Sequence, residues 1–131
     1  MRYRLGGVLA IAAAVALAAS TLSAHHSVAG QFDTSKSVTL KGTVSKVDWI
    51  NPHVYVHLDV KEGDGSVTTW ALATLPTAMM RRAGITRESI AGKPGETIIV
   101  TGNPARDGTK HLAWISKITY EDGHEYTLAG Q

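Results

Sequence analysis

The feature that most constrains the fold is an alternation that changes phase. Val38, Leu40, Gly42 and Val44 alternate with Thr39, Lys41 and Thr43, which is the two-residue period of a half-buried strand. Val47 and Trp49 then fall on odd positions, so an extra residue near Ser45 and Lys46 must be taken up in a β-bulge. A long first strand bent by a glycine and a bulge serves two sides of a small barrel.

The rest of the chain supplies neighbours for that strand. Asn51-Pro52 makes a turn, after which Val54, Val56, Leu58 and Val60 point one way and His53, Tyr55, His57 and Asp59 the other. Glu62 to Ser66 is a hairpin loop of turn residues, and Val67 to Ala73 reads as a third strand centred on Trp70. Pro76 suits the first turn of a helix that runs through Ala83 and stops at Gly84, with Leu75, Met79, Met80 and Ile85 facing inward. A second short turn over Thr86 to Ile90 follows. Strands over Thr97–Thr101 and His111–Tyr120, with a tight turn at Asp107-Gly108, and a short terminal strand over His124–Leu128 complete the pattern. This order predicts an all-β fold with one short helix: a small OB-like Greek-key barrel of five to six strands, an SH3-like or other open barrel being the alternative.

Ahead of the barrel lie two segments of different character. Met1 to Arg4 is positive and Leu5 to Ala19 runs 15 residues without a charge. That run is shorter than the roughly 20 residues a membrane span needs and has the form of a secretory signal peptide. The expected organisation is a signal peptide over 1–24, a tail over 25–37 and a barrel over 38–131. The expected location is the periplasm or outside the cell, with no membrane span after processing. Cleavage after Ala24 is the expected cut, and Ala16-Leu17-Ala18 offers an earlier one. In the tail Phe32, the only Phe, is the packing anchor that would pin the segment if it docks.

Composition narrows the function classes. A chain of 131 residues nearly excludes a two-domain enzyme. The 13 Lys and Arg include Arg2 and Arg4 in the leader; the remaining 11 match the 11 Asp and Glu. A formally neutral barrel with 6% aromatics offers neither a basic groove nor several stacking platforms, so nucleic acid is not an expected partner. The absence of Cys removes disulfides and thiolate metal sites.

His25-His26-Ser27, Phe32-Asp33, Gly42-Thr43-Val44, Trp49-x-Asn51-Pro52-His53, Trp70 and Gly102-x-Pro104-Ala105-x-Asp107-Gly108 together resemble DUF6152, a family of small exported bacterial proteins of unknown function. The resemblance covers essentially the whole chain after the leader. It implies export and a compact β-rich domain, and it implies no activity or substrate. Members often carry a Glu three residues beyond the tryptophan matching Trp70, where this chain has Ala73.

The sharpest chemical feature is the pair His25 and His26. If the chain begins at His25, its α-amine and imidazole chelate a copper ion and another histidine completes a brace. If it begins at Ala24, the imidazole of His26 at position three joins the amine and two amide nitrogens around Cu(II) or Ni(II), metals that favour nitrogen in tetragonal geometry. The plain alternative is a solvated polar tail. His53 and His57 share a strand face, but four residues of strand span roughly 13 Å, too far for one ion. One of them would need His25, His26 or a cross-strand neighbour, and hence a tail that folds back. On an OB barrel the outer face of strands two and three usually carries the ligand, which makes His53, Tyr55, His57 and Asp59 the candidate ligand-binding set. Against this stand a capping role for His53 and ordinary solvent exposure for His57.

Other features have plain readings. Met79 and Met80 point about 100° apart on a helix and suit packing. Trp49, Trp70 and Trp114 read as core or rim residues. Arg81-Arg82 with Arg87 forms a small basic spot that complements a helix end. No nucleophile elbow, HExxH, P-loop or dinucleotide fingerprint occurs, and His124 beside Asp122 and Glu125 does not make a triad. The expected function is a non-enzymatic binding or accessory module of unknown ligand, with copper or nickel held by His25 and His26 as its most specific form. The rivals are a purely structural protein that docks on an exported complex, and a copper-dependent redox enzyme. The enzyme requires His25 as the free terminus and one of His53, His57 or His111 within reach.

Overall fold

The computed structural model describes residues 27–128. The segment expected as a leader and the histidines His25 and His26 lie outside the described residues. Helix α1 (Val28–Gln31) precedes β1 (Val38–Asp48), β2 (Tyr55–Lys61) and β3 (Val67–Ala73). Helices α2 (Thr77–Arg82) and α3 (Arg87–Ala91) follow, then β4 (Thr97–Pro104), β5 (Leu112–Thr119) and β6 (Glu125–Thr127).

The first strand divides its edges between two neighbours. Val38 to Thr43 pair antiparallel with Gly102 to Thr97 of β4, and Gly42 to Asp48 pair with Val60 to Tyr55 of β2. The β2 register shifts between Val44 and Lys46, so Ser45 is the bulged residue and Val47 regains the interior. Gly42 sits where both pairings overlap; a Cβ there would lie 2.3 Å from the Asp59 carbonyl oxygen, so only glycine lets β1 and β2 approach. Gly102 does the same service at a register shift in β4, where a Cβ would lie 2.2 Å from the Trp114 carbonyl oxygen.

Antiparallel β2–β3 and β4–β5 pairings and a short parallel pairing of Ala71–Ala73 with Leu112–Trp114 close the cycle β1-β2-β3-β5-β4-β1. This is the small OB-like barrel, with β6 added along β5 as a sixth strand. Its interior holds Val54, Val56, Leu58, Leu72, Ile98, Val100, Ile115 and Ile118, and the helices contribute Met80, Ile85 and Ile90. Met80 is fully buried while Met79 is only half-buried, as the 100° step between them requires.

The helix count corrects the expectation of one short helix, because three occur among the described residues. Gly84, at φ 73°, ends α2: its N–H donates to the Arg81 carbonyl and that of Ile85 to Met80, a Schellman arrangement. Two residues later Thr86 opens α3 with a reciprocal cap. Thr86 Oγ1 accepts from Ser89 N at 3.1 Å and Ser89 Oγ from Thr86 N at 2.9 Å. A serine in place of the usual Glu or Gln makes that box hard to read from residue types. The third helix, α1, lies in the segment expected as a tail.

Candidate functional site

Residues paired across strands share a face, so the ladder defines the outside of the barrel. Tyr55, Ala73 and Trp114 lie side by side there, as do His57, Ala71 and Leu112, and then Asp59 and Thr69. Trp114 and Ala73 are nevertheless only 3% and 1% exposed, because the amino-terminal segment lies over them. Phe32, 3% exposed, places its ring 5.7 Å from that of Trp114, and Val28, Tyr55, Leu75 and Leu112 pack around the pair. The face that usually receives ligands in OB barrels thus carries a second small apolar cluster, roofed by the chain's own residues 28–32.

Polar bonds fasten this strap to the end of β4 and the loop after it. Phe32 bridges to Ala105, and the Asp33 N–H donates to the Pro104 carbonyl at 2.8 Å. Arg106 donates from its backbone N–H to Gln31 O and from Nε to Ala29 O, both at 2.9 Å, answering carbonyls that so short a helix leaves open. Asn103 Nδ2 donates to Lys36 O at 2.7 Å. Asp33 closes the turn behind Phe32, accepting from Ser35 Oγ at 2.6 Å with Lys36 Nζ at 3.2 Å. The Ser35 hydroxyl foremost, and Lys36 with it, holds this carboxyl down to about 2.

The four residues expected as a ligand set occupy distinct settings. His53 Nδ1 donates to Thr74 O at 3.0 Å and its ring meets Trp114 edge-on at 5.3 Å, so Nε2 is the ring nitrogen that bond leaves over. Tyr55 borders a cleft of about 420 Å³ together with Gln31, Phe32, Arg106, Asp107 and Leu112. His57 Nε2 is engaged with Asp48 Oδ2 at 2.8 Å, and Asp48 Oδ1 lies 2.7 Å from Lys46 Nζ. Lys46 first, and His57 second, hold the Asp48 carboxyl below its ordinary range. Asp59 accepts from Thr69 Oγ1 at 2.6 Å and from Ser45 Oγ at 3.1 Å. His53 and Tyr55 therefore flank the strap, while His57 and Asp59 are tied to their own neighbours further along β2.

Arg106, Gln31 and Asp107 carry no sequence signal for this cleft, since Arg106 meets carbonyls more than 70 residues away in the chain. Trp114 Nε1 is a buried donor with no acceptor among the described residues. Among the described residues no three His, Cys, Asp or Glu side chains gather as a metal site, and no helix is long and apolar enough to cross a membrane. The arrangement offers binding surfaces: an aromatic wall at Tyr55 and Phe32, and a guanidinium and a carboxylate at the rim.

No curated protein and no solved structure matches the sequence. A family model described as a family of unknown function, DUF6152, matches residues 12–113, most of the chain, and the protein belongs to that family.

Proposed function

We propose that the protein is an exported, non-enzymatic binding module whose working face is the junction of the strap and the barrel, and that it takes copper or nickel there through His25 and His26. The observation that carries this reading is the seating of Phe32 and Val28 on the Trp114 face. In the sequence His25 and His26 immediately precede Ser27, the residue before α1. Histidine nitrogens suit Cu(II) and Ni(II), and the cleft beside Tyr55 and Arg106 supplies room for a small ligand or for a side chain of an exported partner.

Native mass spectrometry of the protein processed by its own export machinery tests the proposal. A mature terminus at Ala24 or His25 with one copper or nickel, lost in His26→Ala or His25→Ala, is the expected result. A metal-free mass that stays metal-free through a copper titration would refute the metal site and direct ligand screening to the Tyr55 cleft.

A further inference from the structure

Away from the strap, an indole and two guanidinium groups that join no ion pair among the described residues share one hollow, next in the chain to an exposed apolar tip. The loop after β1 carries Trp49, half-buried against the core, and Ile50, 54% exposed. Asn51 fixes this loop, because its Oδ1 accepts from both the backbone N–H and the hydroxyl of Thr77, at 3.2 and 3.0 Å, at the start of α2. Trp49 then shares a shallow hollow of about 440 Å³ with Arg81 and Arg87, and Arg82 stands exposed beside Arg81.

Among the described residues none of the three arginines joins an ion pair; Glu88 is the one carboxylate lining the hollow, and Asp48 on the adjoining strand is already held by Lys46 and His57. A helix dipole accounts for Arg81 and Arg82 in the last turn of α2 but disfavours Arg87 in the first turn of α3. Arg81 and Arg87 meet around Trp49 with Glu88 as the single carboxylate of the hollow, a charge balance that suits an anionic partner.

We infer that this face docks on an anionic lipid surface. Ile50 enters the interfacial layer, the Trp49 indole lies at headgroup depth, and Arg81 and Arg87 meet the phosphodiesters. Apolar tip, interfacial aromatic and flanking arginines are the three elements that such a surface rewards. A compact anion would use the guanidinium groups but has no use for an exposed isoleucine.

The test is co-sedimentation of the full chain with vesicles of phosphatidylcholine, with and without phosphatidylglycerol. Each arginine near an anionic surface raises partitioning by roughly fivefold, so R81Q/R87Q is expected to bind roughly 25-fold more weakly. Ile50→Ser should lose roughly tenfold, and binding should fall as salt rises. Comparing variants of one chain cancels any contribution of residues 5–19, and because all three positions are exposed, unchanged circular dichroism certifies the fold. Equal binding to phosphatidylcholine alone, no binding at all, or no effect of R81Q/R87Q would overturn the inference. Displacement by inorganic phosphate but not by chloride at equal ionic strength would overturn it in favour of a small-anion pocket.

Discussion

Replacing Phe32 by Ala separates the docking of the strap from the stability of the barrel. A phenylalanine ring buries about 150–250 Å², worth roughly 4–6 kcal/mol as an upper figure at about 25 cal/mol per Å². Phe-to-Ala changes in packed interiors cost about 3–5 kcal/mol. The lower end applies here, because the strap lifts away rather than leaving a cavity, so about 3 kcal/mol of docking is lost. That corresponds to a roughly 100-fold fall in the docking constant. Hydrogen exchange reads it locally. The amides of Asp33 and Arg106, which cross between strap and barrel, should lose protection by that factor, while ladder amides of β2 keep theirs. Equal loss in β2 would show that strap and barrel unfold as one unit. Undiminished protection of Asp33 and Arg106 would show that Phe32 is not the anchor. Either outcome refutes the reasoning.

Three further perturbations follow from the same geometry. Gly42→Ala places a methyl 2.3 Å from the Asp59 carbonyl oxygen and should cost about 3 kcal/mol or prevent folding, whereas Gly63→Ala, with open space around it, should stay within about 0.5 kcal/mol of the parent in thermal melts. For Asp33 the folded pKa of about 2 lies below its ordinary value of 3.8, so its contribution to strap closure is full above that value and is lost as pH falls towards about 2. Protection of the Asp33 amide should decay over that window, and Ser35→Ala should move the decay to higher pH; a pH-independent amide would contradict the assignment. NMR titration of Asp48 should show its pKa returning towards 3.8 in both Lys46→Ala and His57→Ala, with the larger rise in the lysine variant, and the reverse order would contradict the ranking of the two partners.

Much of the barrel was legible because its signals are local. Period-two alternation located β1 to β5, the phase slip located the bulge near Ser45 and Lys46, and Gly84 marked the end of α2. Alternation also identified which side chains share the outer face, yet it carries no information about lateral partners. His57 finds its carboxylate in Asp48 and Asp59 finds its hydroxyls in Thr69 and Ser45, pairings that depend on register across three strands. Trp114 and Ile115 are adjacent yet both buried, one beneath the strap and one inside the barrel, which strand alternation alone does not foretell. A lone Phe in a polar stretch announced an anchor; the surface it lands on came only from closing the β3–β5 seam.

The divided loyalty of β1 has a consequence for how the chain comes together. Val38 must find Gly102 and Phe32 must find Ala105, so the earliest part of the domain completes its bonding only when nearly the last has arrived. Contacts of such sequence separation raise the contact order and slow the final closure. Until β4 arrives, β1 through β3 form a three-stranded meander with an unfilled edge and a half-covered apolar face. A chain emerging from a ribosome in amino-to-carboxyl order therefore stays open to capture by a chaperone until β5, with Leu112 to Trp114, has cleared the exit.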